Sequence, residues 1–112
     1  MFKIWFQVPR PCLELSQCPT GYSFPSGHAA VIFAFASIFS LETKKKKFCL
    51  AAFMFAILVA LSRVFLNYHT YADILAGALV GMFCGYLIHA AYKTIPILLV
   101  EEKVRKKRKS KR

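Results

Sequence analysis

The chain has 112 residues, 57% of them hydrophobic, yet sixteen Lys and Arg stand against five Asp and Glu, a formal net charge of +11. Three nearly all-round apolar helices would leave so small a domain no polar faces to show water, which argues against a soluble helical bundle and for an α-helical membrane protein. The charge is also concentrated in two blocks, Lys44 to Lys47 and the tail from Glu101 to Arg112, with few charges between.

The first stretch, "MFKIWFQVPRP", does not read as a signal peptide, because Gln7 and Pro9 interrupt its apolar character and no small-residue cleavage site follows. Cys12 and Cys18 come next; their spacing suits either a short-loop disulfide in an oxidising compartment or two thiols. "PSGH", Pro25 to His28, then opens an apolar run, Ala29 to Leu41, that ends in four lysines. A second run spans Phe48 to Leu61 and leads into "SRVFLNYHTYAD". A third spans Ile74 to Tyr92 and precedes the basic tail. Each run approaches the length that crosses a hydrocarbon core of about 30 Å once its flanks are included, so three transmembrane helices are expected. Cys49 and Cys84 lie in these runs as small hydrophobes, and no Cys or His spacing has the pattern of a zinc site.

Lys and Arg in short loops favour the cytoplasmic side. The four lysines and the tail are therefore expected there, with Lys3, Arg10, "PSGH" and the "SRVFLNYHTYAD" connection on the extracytoplasmic face. Residues 1–100 read as a membrane domain and residues 101–112 as a basic cytoplasmic tail. Gly77, Gly81 and Gly85 recur every four residues in the third helix, a stripe that admits another helix at close range. His89 is set apart by its position, twenty residues beyond His69 and so about 30 Å farther along a helix.

The polar residues on the extracytoplasmic face form a set suited to phosphate. Lys3, Arg10 and Arg63 supply cations, the arginines as planar forks, and the helix start at Ser26, Gly27 and His28 supplies backbone N–H groups. His69 and Asp73 are four apart, so a helix beginning near Thr70 puts them on one face, where the carboxylate can fix the imidazole tautomer. A histidine so oriented can act as nucleophile, with His28 as the acid that protonates a leaving oxygen. Each residue alone has a plainer role. Ser26 suits an N-cap, Thr70 with Asp73 fits a capping box, and Lys3 and Arg10 suit interfacial anchoring. Arg63 and His69 are harder to explain in that way, since polar ionisable groups at the end of an apolar span are costly.

As a set, Lys3, six residues, Arg10-Pro11; then "PSGH"; then Ser62-Arg63, five residues, His69, three residues, Asp73, resembles the complete three-part signature of the type 2 phosphatidic acid phosphatase family, relatives of the vanadium haloperoxidases. The resemblance implies that His69 forms a phosphohistidine, that Asp73 orients it and that His28 protonates the leaving group. Lys3, Arg10, Ser26, Gly27 and Arg63 would bind the phosphoryl oxygens, with no metal and no other cofactor. It covers Lys3 to about Tyr92, the C-terminal half of a family whose membrane members have about six spans. The expected partners are a membrane lipid phosphate or diphosphate, the bilayer itself, and either an N-terminal half or further copies of this chain. A competing reading is an inactive membrane fragment or subunit whose tail binds anionic lipid. Nucleic acid is not expected as a partner, because the tail has no aromatic residues for base stacking.

Overall fold

A computed structural model describes residues 5, 7–12, 18 and 20–112. Lys3, the first expected phosphate ligand, lies outside the described residues. The described residues contain three helices and no strand: α1 (Gly27–Thr43), α2 (Lys46–Phe65) and α3 (Tyr71–Ser110).

The helix ends follow local chemistry. Ser26 caps α1, its hydroxyl accepting the Ala29 N–H at 3.4 Å. α1 stops where Lys44 turns into the left-handed region at φ 55° and its N–H returns to the Ser40 carbonyl at 3.2 Å. α2 ends in a turn in which Asn67, a residue type that tolerates this region, takes φ 56°. Thr70 then caps α3 with a full capping box: its N–H donates to Asp73 Oδ2 at 2.7 Å, and its hydroxyl accepts the Asp73 N–H at 3.3 Å.

The glycine stripe finds its partner within the chain. A Cβ on Gly77 would strike the Ser26 carbonyl, one on Gly81 the Ala30 carbonyl and one on Gly85 the Ala34 carbonyl, so α3 lies on α1 almost backbone to backbone. The Ser26 N–H also donates to the Asp73 carbonyl at 3.0 Å, which joins the starts of the two helices. α2 packs on α1 through Phe53 against Phe33, ring centroids 6.2 Å apart, and its buried Ala56 and Ala60 join one core cluster with Ala29 and Ala36 of α1 and Ile74 and Ala78 of α3.

Outside this narrow core the helices show large apolar side chains, among them Phe35, Leu58, Leu79 and Phe83, on every side. Only 11% of the apolar stretch of α2 is buried, whereas the core helix of a soluble protein would be mostly covered. α2 and α3 are each long and apolar enough to cross a membrane. α1 is shorter, 17 residues. α3 continues without a break through the junction expected between residues 100 and 101, so the tail begins as helix, and beyond Ala90 every residue of it is exposed. The Glu102–Lys106 ion pair at 2.7 Å, one turn apart, supports that extension.

Candidate active site

The starts of α1 and α3 and the end of α2 meet at one end of the bundle. Arg63, in the last turn of α2, places its Nη2 3.1 Å from Nε2 and 3.3 Å from Nδ1 of His28 in the first turn of α1. The guanidinium also lies over the Tyr68 ring, 5.4 Å from its centroid. The Arg63 carbonyl accepts both the Tyr68 N–H, at 3.1 Å, and the His69 N–H, at 3.3 Å. That tight turn brings His69 back beside the arginine six positions earlier.

Arg10 arrives from the N-terminal segment. Its Nε donates to the Gly21 carbonyl at 3.1 Å and its Nη1 to the Tyr68 carbonyl at 3.2 Å, so one side chain joins that segment to the turn carrying His69. Arg10, Gly27, His28, Arg63 and His69 together line a cavity of about 600 Å³ whose remaining walls are Val31, Ile32 and Val59. One end is cationic and imidazole-rich, and the other is hydrocarbon. Cationic forks of this kind suit phosphate oxygens, and apolar walls suit a hydrocarbon group.

Behind the cavity, His69 is 3% exposed and Asp73 1%. His69 Nδ1 faces Asp73 Oδ2 at 3.7 Å, within ion-pair range and beyond hydrogen-bond length. The same carboxylate oxygen accepts the Thr70 N–H, so Asp73 is both the cap of α3 and the neighbour of His69. Ser26 is fully buried and its hydroxyl faces its own helix as a cap, while Gly27 lines the cavity. Buried Nε of Arg63 has no hydrogen-bond partner among the described residues, which leaves part of its fork for another acceptor. Among the described residues no three metal-ligating side chains converge.

The structure thus brings together Arg10, Gly27, His28, Arg63 and His69, with Asp73 directly behind and Ser26 at the helix start. Tyr68 and Gly21 were not among the residues expected from the sequence. They act through backbone carbonyls and a ring face, which no pattern of side-chain chemistry announces. At the opposite end His89 contacts Glu42, Nε2 to Oε2 at 3.2 Å, with Lys93 Nζ 3.3 Å from the same oxygen, well away from the cavity.

A sequence profile of the PAP2 superfamily matches residues 1–96. The chain belongs to the PAP2 superfamily. It is 33% identical over 97 residues to an undecaprenyl-diphosphatase of Sulfolobus acidocaldarius, covering 87% of this chain and 47% of the relative. It is 31% identical over 97 residues to a phosphatidylglycerophosphatase B of Bacillus subtilis, covering 79% and 48%. It is 39% identical over 67 residues to a lipid A 1-phosphatase of Porphyromonas gingivalis, covering 58% and 15%. The chain therefore spans about half, or less, of the length of these relatives. No solved structure gives a significant match.

Proposed function

We propose that this chain carries the catalytic residues of a membrane phosphatase that hydrolyses a lipid phosphate or diphosphate through a phosphohistidine on His69. The observation that carries the reading is the cavity shared by two arginines and two histidines and continued by apolar walls. The names of the PAP2 relatives, each a phosphatase of a lipid phosphate or diphosphate, support the substrate class.

In this mechanism Asp73 orients the Nδ1–H of His69, and Nε2 attacks phosphorus in line with the lipid oxygen. The hydrogen bond that this requires forms when the 3.7 Å separation closes by less than an ångström as the substrate seats, since catalytic hydrogen bonds are often long in the unliganded state. As the P–O bond breaks, His28 gives its proton to the leaving oxygen. Arg10, Arg63 and Lys3 bear the charge on the phosphoryl oxygens together with the N–H groups at Gly27. In the second half His28 takes a proton from water, the water oxygen attacks phosphorus, the P–N bond breaks and inorganic phosphate leaves. Arg63 exchanges its contact with His28 for the phosphoryl group, which frees the imidazole for proton transfer.

The three helices are read as three spans, the last three of a six-helix core, with α1 crossing a locally thin region through its polar ends. The active site faces the extracytoplasmic side and the lysine block and tail the cytoplasm, in keeping with the basic residues at the far end and with the Cys12–Cys18 disulfide at the near end. An N-terminal half, or another copy of the chain, completes the walls around the lipid. Purified protein, supplied with that half as a second polypeptide where needed, should release inorganic phosphate from a lipid phosphate in the presence of a metal chelator, and vanadate should inhibit it. Activity that disappears with chelator and returns with magnesium would overturn the metal-free mechanism.

A further inference from the structure

Residues 7–12, which deliver Arg10, form neither helix nor strand, and cross-links hold them in position. Residues 8–12 lie antiparallel to residues 20–23, with Cys18 opposite Cys12. At one end the Ser23 N–H donates to the Val8 carbonyl at 2.9 Å and its hydroxyl to the Pro9 carbonyl at 3.3 Å, with Ser23 fully buried. At the other end Cys12, 1% exposed, is bonded to Cys18, their Cα atoms 5.5 Å apart. Between the two ties sits Arg10, whose Nε bonds Gly21 across the pair and whose Nη1 reaches Tyr68 beside His69. Ser26, three residues past Ser23, begins α1.

We propose that the Cys12–Cys18 disulfide is a redox-sensitive clamp that holds Arg10 at the phosphate cavity, so that its reduction weakens substrate binding while leaving the three helices in place. This rests on the phosphatase reading for its catalytic readout but not for its geometry. Cys12 and Cys18 are positioning residues here and touch no substrate. Reduction breaks one S–S bond and adds two electrons and two protons, giving two thiols. With a phosphine as reductant, phosphorus supplies the electrons and leaves as the phosphine oxide with an oxygen from water. Cys18, half-buried, is the more exposed of the two residues. Once the bond is cut, Val8 and Ser23 still pair, but the chain on the far side of Arg10 gains freedom that its two carbonyl contacts must then oppose. Cys49 and Cys84, the other two thiols, lie along α2 and α3 and are already reduced.

The test compares the full chain in nanodiscs, oxidised and phosphine-treated, with the C12S/C18S variant as a second route to the same state. Reduction should lower kcat/KM for a short-chain lipid phosphate about tenfold, mostly through KM, as loss of a binding contact does. Reoxidation should restore it. In an Arg10→Ala background, reduction should change kcat/KM by less than about twofold, because the disulfide and Arg10 act as one unit. An equal tenfold loss in that background, or no loss in the wild type, would overturn the clamp. A readout independent of turnover uses nitroxides on keto amino acids at exposed Thr20 and Tyr71. The distance distribution between them should be narrow when oxidised and broad when reduced, and an unchanged distribution would also overturn the proposal. If the oxidised protein shows no phosphatase activity while the distances respond as stated, the phosphatase reading fails and the clamp stands.

Discussion

Both ends of the bundle hold a histidine beside a carboxylate, and their surroundings separate them. At the cavity end, His69 and Asp73 share the start of one helix, both are almost fully buried, and Arg10, Arg63 and His28 stand in front. At the far end, His89 and Glu42 bridge α3 to α1 in closer contact, 3.2 Å against 3.7 Å, but Glu42 is more than half exposed and Lys93 shares its charge. The tighter pair is the less chemical one. An exposed ion pair is screened by water and contributes little, whereas a buried imidazole held by a carboxylate and faced by cations can do work on a phosphate. A histidine–carboxylate contact alone therefore does not separate the two ends; the cations and the cavity do.

The sharpest way to break this contrast is to remove each histidine in turn. His69→Ala should reduce kcat by at least about 10³-fold, while His89→Ala should leave kcat/KM unchanged, both read as phosphate release by folded protein. Equal effects would erase the distinction between the ends. Next in size, Arg63→Ala should cost about 10²- to 10³-fold in kcat, the scale of losing one preorganised donor to developing charge. Arg63→Lys should recover only part, because it keeps the charge and loses the fork. Asp73→Asn separates the two tasks of that residue. The amide oxygen still accepts from the Thr70 N–H, so the melting temperature should hardly move, while kcat should fall about 10²-fold or more as the imidazole tautomer is lost. Smallest in catalytic terms and largest in stability, Gly81→Ala should destabilise the α1–α3 pair by about 1–3 kcal/mol, because its methyl group meets the Ala30 carbonyl. Thermal melting in detergent reads this directly.

Much of the site was legible because its parts are local. Ser26 and Thr70 mark helix starts by their capping chemistry, and the interval from His69 to Asp73 puts both on one face once α3 begins. The meeting of "PSGH" with the Arg63–Asp73 motif followed from apolar runs that return the chain to one end. Other features depend on contacts between distant residues. The partner of the glycine stripe is α1, which the stripe itself does not name, and the Arg10 contacts run to carbonyls at Gly21 and Tyr68. The disulfide depended on a choice between two open alternatives that spacing left equal. The end of α3 is not legible in the apolar run Ile74–Tyr92, because the charged residues that follow suit a solvated tail as well as a helix. Glu, Lys and Arg are nonetheless good helix formers, and the helix carries Pro96 within it and continues to Ser110.

The most direct measurement is to trap the intermediate. Protein mixed with a lipid phosphate labelled in its phosphoryl group is quenched in base within one turnover, digested and sequenced by mass spectrometry, because a phosphoramidate survives base and is lost in acid. The account predicts an acid-labile phosphoryl group on the peptide containing His69, absent in His69→Ala. Turnover without a labelled peptide, or label on His28 or His89 instead, would contradict it.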